Sequence, residues 1–352
     1  MRLGLSVMRS GGSWGPWGAG PKANLEVIKR AEALGYDSVW TAEALGTDCI
    51  VPLAYIAAHT EKIKLGTGIM QMAARTPAAA AMTAATLDSA SNGRFIMGLG
   101  VSSPMIVEAW HNVAFRQPLQ RTREYVEIVR KILDRDKPVD FHGEIYDMPY
   151  TGEGATGMAA PMKLMFRPKR RRIPIYLAAM GPKNVRLAMQ VADGLMPPIF
   201  SPAREAALLG EISSELAGIV EARTRLGMDT FDVVPMVPIS VGKDVDVCRK
   251  KLKSGVAFYL GSGVKGYSFY YDLAVRYGWE EPARRVADLF QKAKWGEAAA
   301  AVPDEMVDEI ALCGPKERIA EQLDAWKRSS VTTMMLVNAD VPAIELMAEL
   351  CL

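Results

Sequence analysis

The sequence has few of the residues that form metal sites and disulfide frameworks. Its 352 residues include four cysteines (Cys49, Cys248, Cys313 and Cys351) and three histidines (His59, His111 and His142). The cysteines form no CxxC pair and the histidines lie far apart, so neither set has metal-ligand spacing. We therefore expect no metal and interpret the cysteines as small buried residues of a protein in a reducing compartment.

An excess of charge and a long apolar run are also missing. Lys plus Arg number 42 and Asp plus Glu number 40, a net charge of +2, which argues against a nucleic-acid or membrane-surface partner. The apolar stretch from Pro77 to Leu87 is too short to span a bilayer, and the N-terminus lacks a signal-peptide core. We expect a cytoplasmic protein.

Two enzyme classes are disfavoured by missing motifs. No GxxxxGK[ST] sequence occurs, which excludes a P-loop enzyme. No candidate strand ends in a lysine placed for a Schiff base, since Lys64 lies near the start of its strand, and this argues against a barrel aldolase.

What the sequence does contain is a recurring helix–strand unit. Residues 25–34 have apolar side chains at helical spacing, Gly35 is the expected C-cap, and residues 38–40 form a short apolar strand. Further candidate strands lie at 3–8, 63–69, 95–100, 173–178, 195–199, 231–241 and 333–337. About eight such units favour an α/β fold with a parallel sheet. The spacing alone leaves open whether the sheet closes into a barrel or stays open and doubly wound.

Four motifs in chain order carry a resemblance to a known family. They are AEALGYDSVW (31–40), LGTGI (65–69), LDSASNGRF continuing to GLG (87–100), and IYLAAMGP (175–182) with ADG at 192–194. Together they resemble the luciferase-like monooxygenase family, and most of all its branch that uses the deazaflavin coenzyme F420, which includes methylenetetrahydromethanopterin reductase. The resemblance implies a single (β/α)8 TIM-barrel domain over residues 1–352, with insertions at about 141–172 and 261–302.

The resemblance also implies where a cofactor would lie. The ring would cover the carboxyl ends of the strands, with a cis peptide between Gly68 and Ile69 behind it and with Gly100 and Val101 lining it. Ala179, Met180 and Gly181 would hold the phosphate. The residues support this last prediction, because a glycine followed by Pro182 suits a helix N-terminus that binds an anion. An ordinary strand–helix turn is the alternative.

Three further residues are candidates for contact with substrate. Glu43 follows the strand at 38–40, so it should reach the catalytic rim, where a carboxylate can relay a proton or simply cap a helix or form a salt bridge. In the sugar-phosphate dehydrogenase branch of the family this position resembles a catalytic histidine. Arg75 is predicted to reach an anionic group, with a solvated arginine as the alternative. Trp14 is predicted to wall the acceptor pocket, or else to pack against the barrel.

The function implied by the resemblance is hydride transfer between coenzyme F420 and a small electron-poor organic molecule. An FMN-dependent monooxygenase that uses oxygen, and a non-catalytic flavin-binding barrel, are the alternatives. The resemblance further implies a homodimer or a higher homo-oligomer. The basic run at 167–172 gives one more hypothesis, contact with the polyglutamyl tail of the deazaflavin, with a solvated loop as the alternative.

Overall fold

The structure, a computed structural model, describes residues 1–7, 25–210, 223–224, 227–228, 230–263 and 268–352. Trp14, predicted to line the acceptor pocket, lies outside these described residues.

Parallel strands form the centre of the molecule. In chain order the strands are β1 (Arg2–Ser6), β2 (Ser38–Thr41), β3 (Lys64–Thr67), β4 (Met70–Gln71), β5 (Phe95–Gly100), β6 (Phe141–His142), β7 (Asp147–Met148), β8 (Ile175–Leu177), β9 (Gly194–Leu195), β10 (Asp232–Val233), β11 (Met236–Val241), β12 (Leu312–Gly314) and β13 (Thr333–Val337). The main sheet has the order β10-β9-β8-β5-β3-β2-β1-β13-β11-β12, with β4 beside β5. All eight strands expected from the sequence are present within one or a few residues of their predicted bounds.

The sheet closes on itself through one bent segment. Strands β10 and β11 are separated only by Val234 and Pro235, yet β10 pairs with β9 whereas β11 pairs with β13. The N–H of Val234 donates to the carbonyl of Leu195 (2.8 Å), and the N–H of Met335 donates to the carbonyl of Pro235 (3.0 Å). The bend therefore joins the two ends of the parallel sheet. This confirms the barrel and rules out the open doubly wound sheet.

Helices surround the barrel. They are α1 (Leu25–Ala33), α2 (Ile50–Ala57), α3 (Pro77–Ala90), α4 (Pro104–Ala109), α5 (Pro118–Asp134), α6 (Pro182–Val191), α7 (Glu205–Leu209), α8 (Val245–Gly261), α9 (Phe269–Arg276), α10 (Glu280–Gln291), α11 (Trp295–Ala300), α12 (Asp304–Ile310), α13 (Lys316–Arg328) and α14 (Val341–Cys351). Gly35 has φ of +92° just after α1, which agrees with the predicted C-cap. In the described part of the chain, no helix has both the length and the apolar character needed to cross a membrane.

Large side chains fill the barrel interior and dictate where glycine is needed. Trp40, Tyr176, Met196 and Met335 are buried in one inner cluster with Ile96 and Val234. Any side chain at Gly66 would overlap with the indole of Trp40. Glycine in this strand therefore makes room for packing, as expected where a strand backbone approaches a large neighbour closely.

The two segments predicted as insertions differ in structure. Within 141–172, β6 and β7 form an antiparallel hairpin. The segment 261–302 contains three helices, α9 to α11. Two of its aromatic residues, Tyr277 and Trp279, are buried with their ring centroids 5.7 Å apart. These aromatic side chains therefore serve the packing of the helices.

Two arginines of the basic run at 167–172 have partners within the protein, which favours the alternative to a contact with the polyglutamyl tail. The guanidinium of Arg170 binds the fully buried carboxylate of Asp88 and donates to the carbonyl of Phe95 (2.6 Å) at the start of β5. Arg172 pairs with Asp193 (3.2 Å). These contacts lie at the amino ends of the strands, on the opposite edge of the barrel from the predicted cofactor site, and local carboxylates already pair with the arginines.

A buried carboxylate holds the hairpin against α5. Glu124 is 2% exposed, and its oxygens accept backbone N–H groups from Glu144 (2.8 Å), Ile145 (3.0 Å) and Tyr146 (2.9 Å). Burial acts to raise the pKa of Glu124, but these bonds and one from Gln120 bring it below its ordinary value. The ionised carboxylate thus stabilises the turn of the hairpin.

Glu124→Gln is expected to lower the free energy of unfolding by about 1–3 kcal/mol. The glutamine NH2 group would face backbone N–H groups that the carboxylate oxygens now accept, and two donors cannot bond to each other. Urea unfolding measures the loss, and hydrogen exchange at residues 144–146 locates it. Since the folded pKa of Glu124 is depressed, its stabilisation is present above the unfolded value of 4.5 and is lost as the pH falls through the folded value. Glu127→Gln, on the exposed face of the same helix, is the control; equal stability of the two variants would contradict the role of Glu124.

Candidate active site

The predicted site residues gather at the carboxyl ends of neighbouring strands. Glu43 follows β2, Gly68 and Ile69 follow β3, and Gly100 and Val101 end and follow β5. The peptide between Gly68 and Ile69 is cis, as the resemblance implied. The N–H of Glu43 donates to the carbonyl of Ile69 (3.2 Å), which joins the first two of these strand ends. In (β/α)8 barrels this edge carries the active site.

Close packing explains part of the glycine pattern. A side chain at Gly100 would come within 2.6 Å of the Cδ1 atom of Ile69, so the side chain of Ile69 fills the space over Gly100. Val101, the next residue, lines a cleft together with Met72, Phe115 and Arg121. The structure thus brings Ile69, Gly100 and Val101 together. The side chain of Ile69 packs directly against the backbone of Gly100.

Glu43 lies at the centre of a hydrogen-bonded network. Its carboxylate is 9% exposed and accepts the N–H of Gln71 (2.8 Å) and the guanidinium of Arg75 (2.6 Å) at Oε1. The Oε2 atom lies 3.2 Å from the thiol of Cys49. Burial, and then the charge of Glu43, raise the pKa of the Cys49 thiol, so this cysteine stays protonated and donates. Both oxygens of Glu43 therefore have protein partners.

Arg75 joins two acidic residues. Besides Glu43, its guanidinium binds Asp48, whose other oxygen accepts the N–H groups of Ile50 (2.8 Å) and Val51 (2.6 Å) at the start of α2. Burial acts to lower the pKa of Arg75, but its bond to Glu43 and the nearby negative charges raise it overall. The sequence predicted that Arg75 faces an anionic ligand; the structure places its guanidinium between two carboxylates of the protein.

The same residues raise the question of a metal. Glu43, Asp48 and Cys49 each offer a ligand atom within 4.8 Å of the others, the one such group found in the described part of the chain. Arg75 takes one oxygen from each carboxylate, and the thiol of Cys49 is protonated. A cation would have to displace the guanidinium and deprotonate the thiol, so the group is best described as an ion-pair network.

The turn after β8, where the sequence predicted the phosphate, is open. Gly181 precedes Pro182, the first residue of α6, with ordinary angles of φ −75° and ψ 146°. The backbone therefore does not require glycine here, and an added Cβ would meet nothing within 4 Å. Pro182 has no N–H, and the N–H of Asn184 donates to the carbonyl of Gly181 (3.0 Å), so the N–H groups that an anion could reach at this turn are those of Gly181 and Lys183. Ala179 is buried and Met180 half-buried beside this opening.

Several residues of the site were missed in the sequence. Asp48 had a readable signal, because aspartate is common in the turn that leads into a helix, where its carboxylate can accept the first N–H groups, as it does from Ile50 and Val51. Gln71 is 1% exposed and donates from Nε2 to the carbonyls of Glu43 and Ala44 (both 3.3 Å), but nothing in its local sequence marks it. Arg276, which donates to the carbonyl of Met180 (2.6 Å), lies where the resemblance is weakest.

Comparison with known proteins gives three findings. The model of the luciferase-like monooxygenase family matches residues 1–333. A Mycobacterium tuberculosis protein, provisionally named a coenzyme F420-dependent oxidoreductase, is 39% identical over 341 residues, 96% of this chain and 95% of that protein. The 5,10-methylenetetrahydromethanopterin reductase of Archaeoglobus fulgidus is 30% identical over 319 residues, 88% of this chain and 87% of the reductase.

A solved structure agrees with the fold. The coenzyme F420-dependent tetrahydromethanopterin reductase of Methanopyrus kandleri superposes with a TM-score of 0.75 at 23% identity, over 99% of this chain and 97% of the reductase. At this identity the likeness establishes the architecture, a luciferase-like TIM barrel.

The pairing of Glu43 with Arg75 can be tested by a double-mutant cycle. Glu43→Gln and Arg75→Gln are each expected to cost about 1–3 kcal/mol of stability, since each removes one partner of a partly buried ion pair. The double variant should lose at least about 1 kcal/mol less than the sum, as measured by denaturant unfolding. The exposed pair Arg30 and Glu345 is the matched control and should show weaker coupling; additive losses at Glu43 and Arg75 would contradict the network.

Proposed function

We propose that this chain, which belongs to the luciferase-like monooxygenase family, is an oxidoreductase that uses coenzyme F420 to transfer a hydride to or from a small electron-poor organic molecule. One observation carries the site assignment: the Gly68–Ile69 strand end, Val101 and the open turn at Gly181 lie along one rim of the barrel. The name of the Mycobacterium tuberculosis relative, 39% identical over nearly the whole chain, favours the deazaflavin over FMN.

The residues of this chain fit such a cofactor. The open approach at Gly181 suits a phosphate at the N-terminus of α6. The rim at Ile69 and Val101 offers apolar side chains to a planar ring, and the network around Glu43 holds the backbone beneath it. When bound, the deazaflavin supplies the hydride chemistry; the protein binds and orients it and excludes water.

The role of Glu43 as a proton carrier is part of this proposal. Its carboxylate lies at the rim, which supports the role, although both oxygens already accept hydrogen bonds from the protein. A proton relay requires that one of these bonds be exchanged for a bond to substrate. If Glu43 only positions the rim, its present hydrogen bonds can stay as they are. The two roles therefore differ in how much kcat falls when the carboxylate is removed.

A parallel titration of the purified protein against coenzyme F420 and FMN, followed by fluorescence, tests the cofactor. We expect micromolar or tighter binding of F420, at least about tenfold tighter than FMN. Tighter binding of FMN would instead place the chain among oxygen-using flavin enzymes. Binding of neither would remove the redox proposal, and binding of F420 without turnover of any acceptor would support a non-catalytic barrel.

Glu43→Gln tests the proton relay once an acceptor is found. If Glu43 moves a proton, kcat should fall about 100-fold or more while F420 affinity stays within a few-fold, and the acidic limb of the pH profile should change. Asp48→Asn is the matched control, because it breaks the other ion pair of Arg75 and leaves the Glu43 carboxylate in place. Equal losses of kcat in the two variants would show that Glu43 only positions the rim.

A further inference from the structure

Arg276 connects the helical segment at 261–302 to the turn after β8. It is the last residue of α9, and its Nη2 donates to the carbonyl of Met180 at 2.6 Å. Its Nη1 donates to the carbonyl of Ala207, in α7, at 3.2 Å. One planar guanidinium thus fixes the turn and α7 at once, a geometry that the single ammonium of a lysine reproduces poorly.

The charge of Arg276 is not matched by a carboxylate. The side chain is half-buried, and among the described residues no aspartate or glutamate lies within ion-pair distance of it. Burial lowers its pKa, and the neighbouring Tyr277 and Asp272 offset this only in part. A partly buried cation that binds only carbonyl groups is stabilised further by an anion close to it.

The hydrogen bond to Met180 also sets the direction of the next N–H group. In a trans peptide the C=O and the N–H point to opposite sides. Because Arg276 holds the carbonyl of Met180 on the side of α9, the N–H of Gly181 points away from α9. An added Cβ at Gly181 would meet nothing within 4 Å, so there is open space beside its Cα, and this N–H donates no hydrogen bond to another described residue.

We propose that Arg276 is a positioning residue for phosphate recognition: by holding the carbonyl of Met180 it orients the N–H of Gly181 toward the phosphate of the cofactor, with its own positive charge on the opposite side of that peptide. This inference rests on the proposed function and deepens it, because it makes the phosphate, rather than the ring, the group whose binding depends on the segment at 261–302. The chain then distinguishes a phosphorylated deazaflavin from its riboside largely through Arg276.

The test compares ligands with and without the phosphate. Coenzyme F420, the deazaflavin riboside 5′-phosphate, which lacks only the tail, and the riboside, which lacks both the tail and the phosphate, are titrated against the wild-type chain and Arg276→Gln; the 5′-phosphate should behave as F420 does. We expect Arg276→Gln to weaken F420 binding about tenfold or more and riboside binding less than about twofold. Arg284→Gln, an exposed arginine of α10 paired only with Glu281, is the control and should change neither affinity.

A second variant, Arg276→Lys, keeps the test informative if Arg276→Gln fails to fold. It keeps the charge but reaches one carbonyl at most, so F420 affinity should lie between those of the wild type and Arg276→Gln, with the thermal unfolding midpoint near that of the wild type. Equal losses for F420 and riboside in a folded variant, or no loss for either, would overturn the inference alone. A wild-type chain that binds none of these ligands overturns the proposed function, and this inference with it.

Discussion

The candidate site depends on the ion pairs of one arginine. Arg75 precedes α3 and binds both Glu43 and Asp48 in the loop between β2 and α2, so one guanidinium joins two loops at the carboxyl edge of the barrel. Glu43 in turn bonds to the backbone of Gln71, just beyond the cis peptide. The rim on which Ile69 and Val101 lie is therefore held in place by the ion pairs of Arg75 with two carboxylates. The protonated thiol of Cys49 adds a hydrogen bond to one of them, Glu43.

Most of the fold could be predicted from the sequence because each strand of a parallel barrel is a short apolar run buried on both faces. The closure of the sheet into a barrel could not be predicted from the spacing of the strands alone. The run at 231–241 looks like one strand, and only the bend at Val234 and Pro235 lets its two halves pair with different neighbours. The sequence marked 261–302 only as an insertion and did not indicate its three helices, α9 to α11. Gly194 opens β9, where a side chain would crowd Tyr176.

The site was predicted in its location more than in its contacts. A residue that follows a strand must reach the carboxyl edge, which placed Glu43 correctly, and the family motif located the cis peptide. Long-range pairing is different: nothing near Arg75 in the sequence shows that its partner lies 32 residues earlier. The basic run carried a signal that was overlooked, because residues that precede a strand lie at its amino end, where Arg170 meets Asp88.

The closure of the sheet has a consequence for the order in which the protein is made. β1 pairs on one side with β2 and on the other with β13, which follows it by more than 300 residues. During synthesis the first strand therefore keeps one open edge until β13 has been made. Unpaired edges of apolar strands template wrong pairings. The strand that is made first is thus among the last to gain both of its neighbours, and the finished barrel covers the edge that is open during synthesis.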